Sequence, residues 1–199
     1  MTDLLIHDVN VTKLISSELS GHEDGFVAML QVPEENYLEV NLETIKVLVN
    51  EFNYSGLYIT IQRPYNTLLR LFGERGINAD MIYFIDAASS TIKEGDEHTQ
   101  HCMYVASDLN VDDLTKAVYK TIEVVQNNKK FLFIDSITTF MLFQPLSETL
   151  RFAEFLTRTL RKSDLSVVVL NVGMERARER FIKDIVFQCD ETVKIEWNG

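Results

Sequence analysis

The chain has 199 residues, 46% of them hydrophobic, and a formal net charge of −11. That length and apolar share suit one compact α/β unit with a substantial core and leave little room for two. The negative charge argues against a protein whose main task is gripping nucleic acid or anionic lipid, both polyanions, and no apolar run approaches the roughly 20 residues of a membrane-spanning helix.

Residues 1–8 (MTDLLIHD) lack a basic region and a long apolar run, so no signal peptide is expected. Cys102 and Cys189 lie far apart and show neither metal-ligand nor redox spacing, which fits a reducing compartment. A cytoplasmic protein is the expectation. Acid is concentrated at the start: residues 1–55 carry ten acidic groups against two lysines, while residues 146–183 carry an excess of base. Such asymmetry suits docking of a partner or self-association.

The first strand-like run is 26–30 (FVAML), and Leu42, Ile45, Val49 and Phe52 then repeat at helical spacing behind Asn41, which reads as the N-cap. A second strand, 57–61 (LYITI), leads to a helix carrying Leu68, Leu69 and Phe72, with Pro64 in its first turn and Gly76 closing it. Strands follow at 81–85 (MIYFI) and 102–105 (CMYV), separated by a polar loop, 87–101. Asn110, with Asp112 and Asp113 behind it, opens a helix running toward Val125. The run 131–134 (FLFI) ends on Asp135, and Ser147 reads as the cap of a longer helix with Arg151, Arg158 and Arg161 outward. A strand at 166–170 and an alternating one at 192–195, suited to an edge or hairpin, complete the chain. Apolar strands alternating with amphipathic helices predict a three-layer α/β sandwich around a mostly parallel central sheet.

Between the first strand and its helix, where a phosphate-binding loop would sit, residues 31–41 read QVPEENYLEVN: no glycine, no lysine and three glutamates. Glycine supplies the backbone freedom that a cradle of amides needs. Glu34, Glu35 and Glu39 would face a triphosphate with like charge, at about 1 to 4 kcal/mol for each unit pair near 4 Å. Lys46, the nearest lysine, falls inside the helix and away from its N-terminal end.

The segments 57–62 (LYITIQ), 63–68 (RPYNTL), 75–77 (RGI), Ile85-Asp86 and 133–138 (FIDSIT), taken in order, resemble the KaiC-type branch of the RecA-like ATPases, over most of residues 25–196. The resemblance implies a RecA-like core in a single domain, with Asp135 as the carboxylate that orders a magnesium shell and a catalytic glutamate at the end of the second strand. That second position holds Gln62, which cannot accept a proton as a carboxylate does. With the cradle also missing, Asp135 and Gln62 read as remnants of a nucleotide site, and no residue is assigned as catalytic.

Other motifs have plainer readings. The cluster 98–102 (HTQHC) holds good zinc ligands but no second pair to complete a site. Arg176, Arg178 and Arg180 sit where RecA-like assemblies reach a neighbour's nucleotide, yet alternating Glu and Arg also makes an ordinary solvated face. The sequence therefore points to a pseudo-ATPase without cofactor or metal, acting as a regulatory or scaffolding protein through protein contacts. An ATPase with an unconventional phosphate site and a small-molecule sensor using the strand-end crevice are the alternatives.

Overall fold

The computed structural model of the chain describes residues 3–22, 25–89, 100–105, 108–159, 165–173 and 179–195. Its centre is one seven-stranded sheet made of β1 (Val27–Val32), β2 (Ser55–Thr60), β3 (Ile82–Asp86), β4 (Cys102–Tyr104), β5 (Lys130–Asp135), β6 (Leu165–Val172) and β7 (Glu191–Lys194). The spatial order is β4-β3-β2-β5-β6-β1-β7, and every pairing is parallel. The alternating run near the C-terminus is thus a parallel edge strand beside β1 and not a hairpin.

Strands buried on both faces explain the near-continuous apolar runs. Because side chains alternate, Ala28, Leu30, Tyr58, Phe84, Phe133 and Val168 face one layer, and Val27, Met29, Leu57, Ile85, Leu132 and Val167 face the other. The first layer is α1 (Asp3–Leu19), α2 (Tyr37–Lys46) and α3 (Tyr65–Arg75); the second is α4 (Val111–Ile122), α5 (Ile137–Phe143), α6 (Leu146–Glu154) and α7 (Glu179–Val186). Helices following β1 and β2 lie on one face, and those following β4, β5 and β6 on the other. Two crevices result at the carboxyl ends of the strands, one between β2 and β5 and one between β1 and β6, where neighbouring strands send their chains to opposite sides.

Helix ends follow the chemistry of their residues, with three corrections. Asn110 caps α4 by accepting from the amides of Asp112 and Asp113, and Gly76 ends α3 in the left-handed conformation at φ 66°. However, α2 starts at Tyr37 behind a short 3-10 turn, Glu34–Asn36, so Asn41 lies inside the helix and fully buried. Pro64, expected in the first turn of α3, stands one residue before it at the N-cap, and Pro145, not Ser147, is the N-cap of α6. The cap missing from Pro64 is supplied from across the sheet. Asp86 Oδ2 accepts from the Tyr65 amide at 2.8 Å while Oδ1 accepts from Ala88 and Ser89. Lys46 is the last residue of α2 and stands 3.7 Å from Glu43. The N-terminal helix α1 has no counterpart among the expected elements.

Cys102 is buried beside Asp86, and burial first, then that carboxylate, pushes its thiol up to about 12. A thiol held protonated is a poor nucleophile. Ellman's reagent at pH 8 should therefore label one equivalent rapidly, at the half-buried Cys189, and the second only after denaturation. Two rapid equivalents in the folded protein would contradict the packing around β4.

Candidate functional site

The crevice between β2 and β5 contains Asp135, the last residue of β5, with no exposed surface. Register places it beside Thr60, with Tyr58 beside Phe133 two pairs back on the same face. Tyr58 therefore sends its hydroxyl up the sheet and donates to Asp135 Oδ2 at 2.7 Å. Asn41 Nδ2 donates in turn to that hydroxyl at 2.7 Å, which accounts for a buried asparagine in the middle of α2.

The other carboxylate oxygen is met from the segment after β1. Tyr37, the first residue of α2 and 7% exposed, donates its hydroxyl to Asp135 Oδ1 at 2.5 Å. Arg63, just past β2, lies over the Tyr37 ring, its guanidinium carbon 4.9 Å from the centroid, and Nη1 donates to the Tyr37 oxygen at 2.6 Å. The charge of Arg63 thus reaches the carboxylate through a tyrosine.

Burial raises the pKa of Asp135, against the opposing pull of the two tyrosine protons and Arg63. Both hydroxyls are pushed far above the ordinary tyrosine range, by burial first and by Asp135 second, so they act as neutral donors. A carboxylate with an oxygen committed to each tyrosine is neither a poised base nor an open metal ligand. Water or magnesium would reach it only by displacing Tyr37 or Tyr58.

Gln62 is exposed at the end of β2, and its amide donates to Thr139 Oγ1 on α5. Thr139 also contacts Ser136, whose hydroxyl caps α5. Gln62 and Asp135 therefore belong to separate hydrogen-bonded groups. Of the three glutamates expected to face a triphosphate, Glu39 instead forms a bidentate pair with Arg75 on α3, at 2.6 and 2.5 Å, and Glu34 and Glu35 are exposed on the 3-10 turn. Their distribution follows from α2 starting five residues earlier than a cap at Asn41 would set. Residues 90–99, with His98, and residues 174–178, with Arg176 and Arg178, lie outside the described residues, as does the side chain of Arg180. Among the described residues no group of three His, Cys, Asp or Glu side chains is placed to hold a metal ion.

Sequence reasoning missed Tyr58, Asn41 and Arg63. The tyrosine hydroxyl in the strand-like run 57–61 and an asparagine among the apolar positions of the preceding helix were the available signals, since buried polar groups demand partners.

No family model matches the chain, and no curated protein matches it. Solved structures do. The KaiC-like protein PH0186 from the hyperthermophilic archaeon Pyrococcus horikoshii OT3 aligns with a TM-score of 0.62 at 14% identity, covering 88% of this chain and 74% of that one. The uncharacterized protein PH0321 from Pyrococcus horikoshii, solved in complex with an unknown peptide, aligns with a TM-score of 0.66 at 12% identity, covering 92% and 82%. At such identities the likeness speaks for the fold alone, and that fold is KaiC-like and RecA-like.

Proposed function

We propose that this chain is a catalytically inactive RecA-like domain, a cytoplasmic regulatory or scaffolding protein that works through contacts with another protein or a second copy of itself. One observation carries the reading: Tyr37, at the helix start that follows β1, occupies Asp135 from the side on which a phosphate loop would present its ligand. Asp135 and Gln62 are on this reading the remains of a nucleotide site, the first converted into a core contact and the second into a surface tie to α5.

Two further observations support a role in binding proteins. Leu142 and Phe143, adjacent at the end of α5, are each 61% exposed, and side chains of that size left in water together mark contact surfaces. PH0321, with the same fold, was solved with a peptide bound. Titration calorimetry with ATP and magnesium tests the reading directly. No binding is expected up to millimolar nucleotide, with no phosphate release above buffer; micromolar, magnesium-dependent affinity would overturn it.

A further inference from the structure

The second crevice, between β1 and β6, is open. It continues toward β7 as a cleft of about 740 Å³, walled by Val32, Ile182, Val186 and Ile195 and bearing Asn171, Lys183 and Lys194. That volume lies within the usual range for small-molecule sites, and the carboxyl ends of parallel strands are where open α/β sheets hold ligands. The cleft begins at the end of β6, the strand beside β5, and Asn171 on its wall accepts from Thr138, three residues past Asp135, so the two crevices are neighbours along the sheet.

Its charge runs against the rest of the molecule. The chain carries 30 acidic residues against 19 lysines and arginines, yet among the described residues no acidic side chain lines the cleft and two lysines do. Elsewhere Lys46, Arg70, Arg75, Lys116, Arg151 and Arg158 all stand beside carboxylates. Lys183 and Lys194, like Lys13, Lys120, Lys129 and Lys130, form no ion pair among the described residues, and they are the two that share a cleft. Asn171 adds a built donor. It is 8% exposed and lines the cleft, its Oδ1 accepts from Thr138 at 2.9 Å, and its Nδ2 group has no acceptor among the described residues. A nearly buried amide with donors to spare beside two unpaired ammonium groups is suited to an anionic head, and the apolar walls to the body behind it.

We propose that this cleft binds a small amphipathic organic anion, a carboxylate or phosphate monoester with an apolar body. The cleft includes Gln31, Val32 and Pro33, the start of the segment that lacks a phosphate cradle, so the proposal bears on that segment, but an empty cleft would leave the pseudo-ATPase reading untouched. Anilinonaphthalenesulfonate fluorescence provides the probe. Saturable one-site binding is expected, displaced by octanoate or octyl phosphate and not by neutral octyl glucoside; which acid competes better identifies the head group.

The double variant Lys183→Glu/Lys194→Glu should weaken probe affinity about tenfold or more. Lys130→Glu, at the amino end of β5, should leave it unchanged. Asn171→Asp keeps the acceptor for Thr138 but removes the donor, and should weaken binding in the same direction. Absent saturation, equal displacement by octyl glucoside, or unchanged affinity in the double variant would each overturn the proposal. So would displacement by an acidic peptide alone, which would assign the cleft to a protein partner.

Discussion

Replacing Asp135 by alanine is expected to cost about 2–4 kcal/mol of folding stability at neutral pH, because it leaves the buried Tyr37 proton without an acceptor, takes the shorter of Tyr58's two acceptors and opens space at the end of β5. Tyr37 would still receive Arg63 but would have no acceptor among the described residues, whereas Tyr58 would keep Asn41 both as donor at 2.7 Å and as acceptor at 3.0 Å. Urea denaturation followed by circular dichroism measures the loss. A carboxylate that served mainly to hold magnesium would give the opposite pattern, with activity abolished and stability preserved or raised.

The pH dependence of the same site has a defined sign. Asp135 is more easily protonated in the folded chain than in the unfolded one, since burial raises its pKa above the ordinary 3.8. A raised folded pKa gives a contribution fully present below the unfolded pKa and lost as pH rises through the folded one. Relative to Asp135→Asn, the wild type should therefore be favoured most near pH 4. The advantage should shrink toward neutrality, with a slope no steeper than about 1.4 kcal/mol per pH unit. A difference that instead grows with pH would mean that the tyrosine protons and Arg63 outweigh burial.

The sheet was legible because burial on both faces writes strands as unbroken apolar runs, and all seven were marked by such runs or by alternation. Helix α1 was not legible. Val11, Ile15 and Leu19 mark its inner face at four-residue steps, but the segment carries acids and a histidine and precedes the first strand, so nothing nearby required it. The displaced start of α2 has a similar cause: Asn41 is a good cap by residue type, and only the tertiary demand of Tyr58 places it inside the helix. Composition could show that residues 31–41 lack the parts of a phosphate cradle. It could not show that Tyr37 meets Asp135, because that contact joins residues 98 apart and depends on β6 and β1 lying in order beside β5. The cleft was invisible for the same reason, its lining being drawn from β1, β6, α7 and β7.

Gly56→Ala is the substitution expected to damage the framework without touching either crevice. Gly56 lies in β2 opposite Phe131 of β5, in the middle of the sheet. A Cβ added there would stand 2.3 Å from the Phe131 carbonyl oxygen and 2.5 Å from its ring. The ring alone could turn aside, but the carbonyl belongs to a strand fixed by β6 on its other side, so relief requires β2 and β5 to separate. Overpacking of this kind costs about 1–3 kcal/mol and more when backbone must move, which for a chain of this size lowers the melting temperature by roughly 5–10 °C. Differential scanning calorimetry should show that drop, and Gly73→Ala, where a Cβ meets nothing within 4 Å on the exposed side of α3, should match or exceed the wild type. Because Gly56 is four register pairs from Asp135 and lies in β2, which β5 and β6 separate from β1, probe binding at temperatures below the transition should be retained. Equal melting temperatures for the two alanine variants would mean that the β2–β5 spacing is not set by the close approach of Gly56 to Phe131.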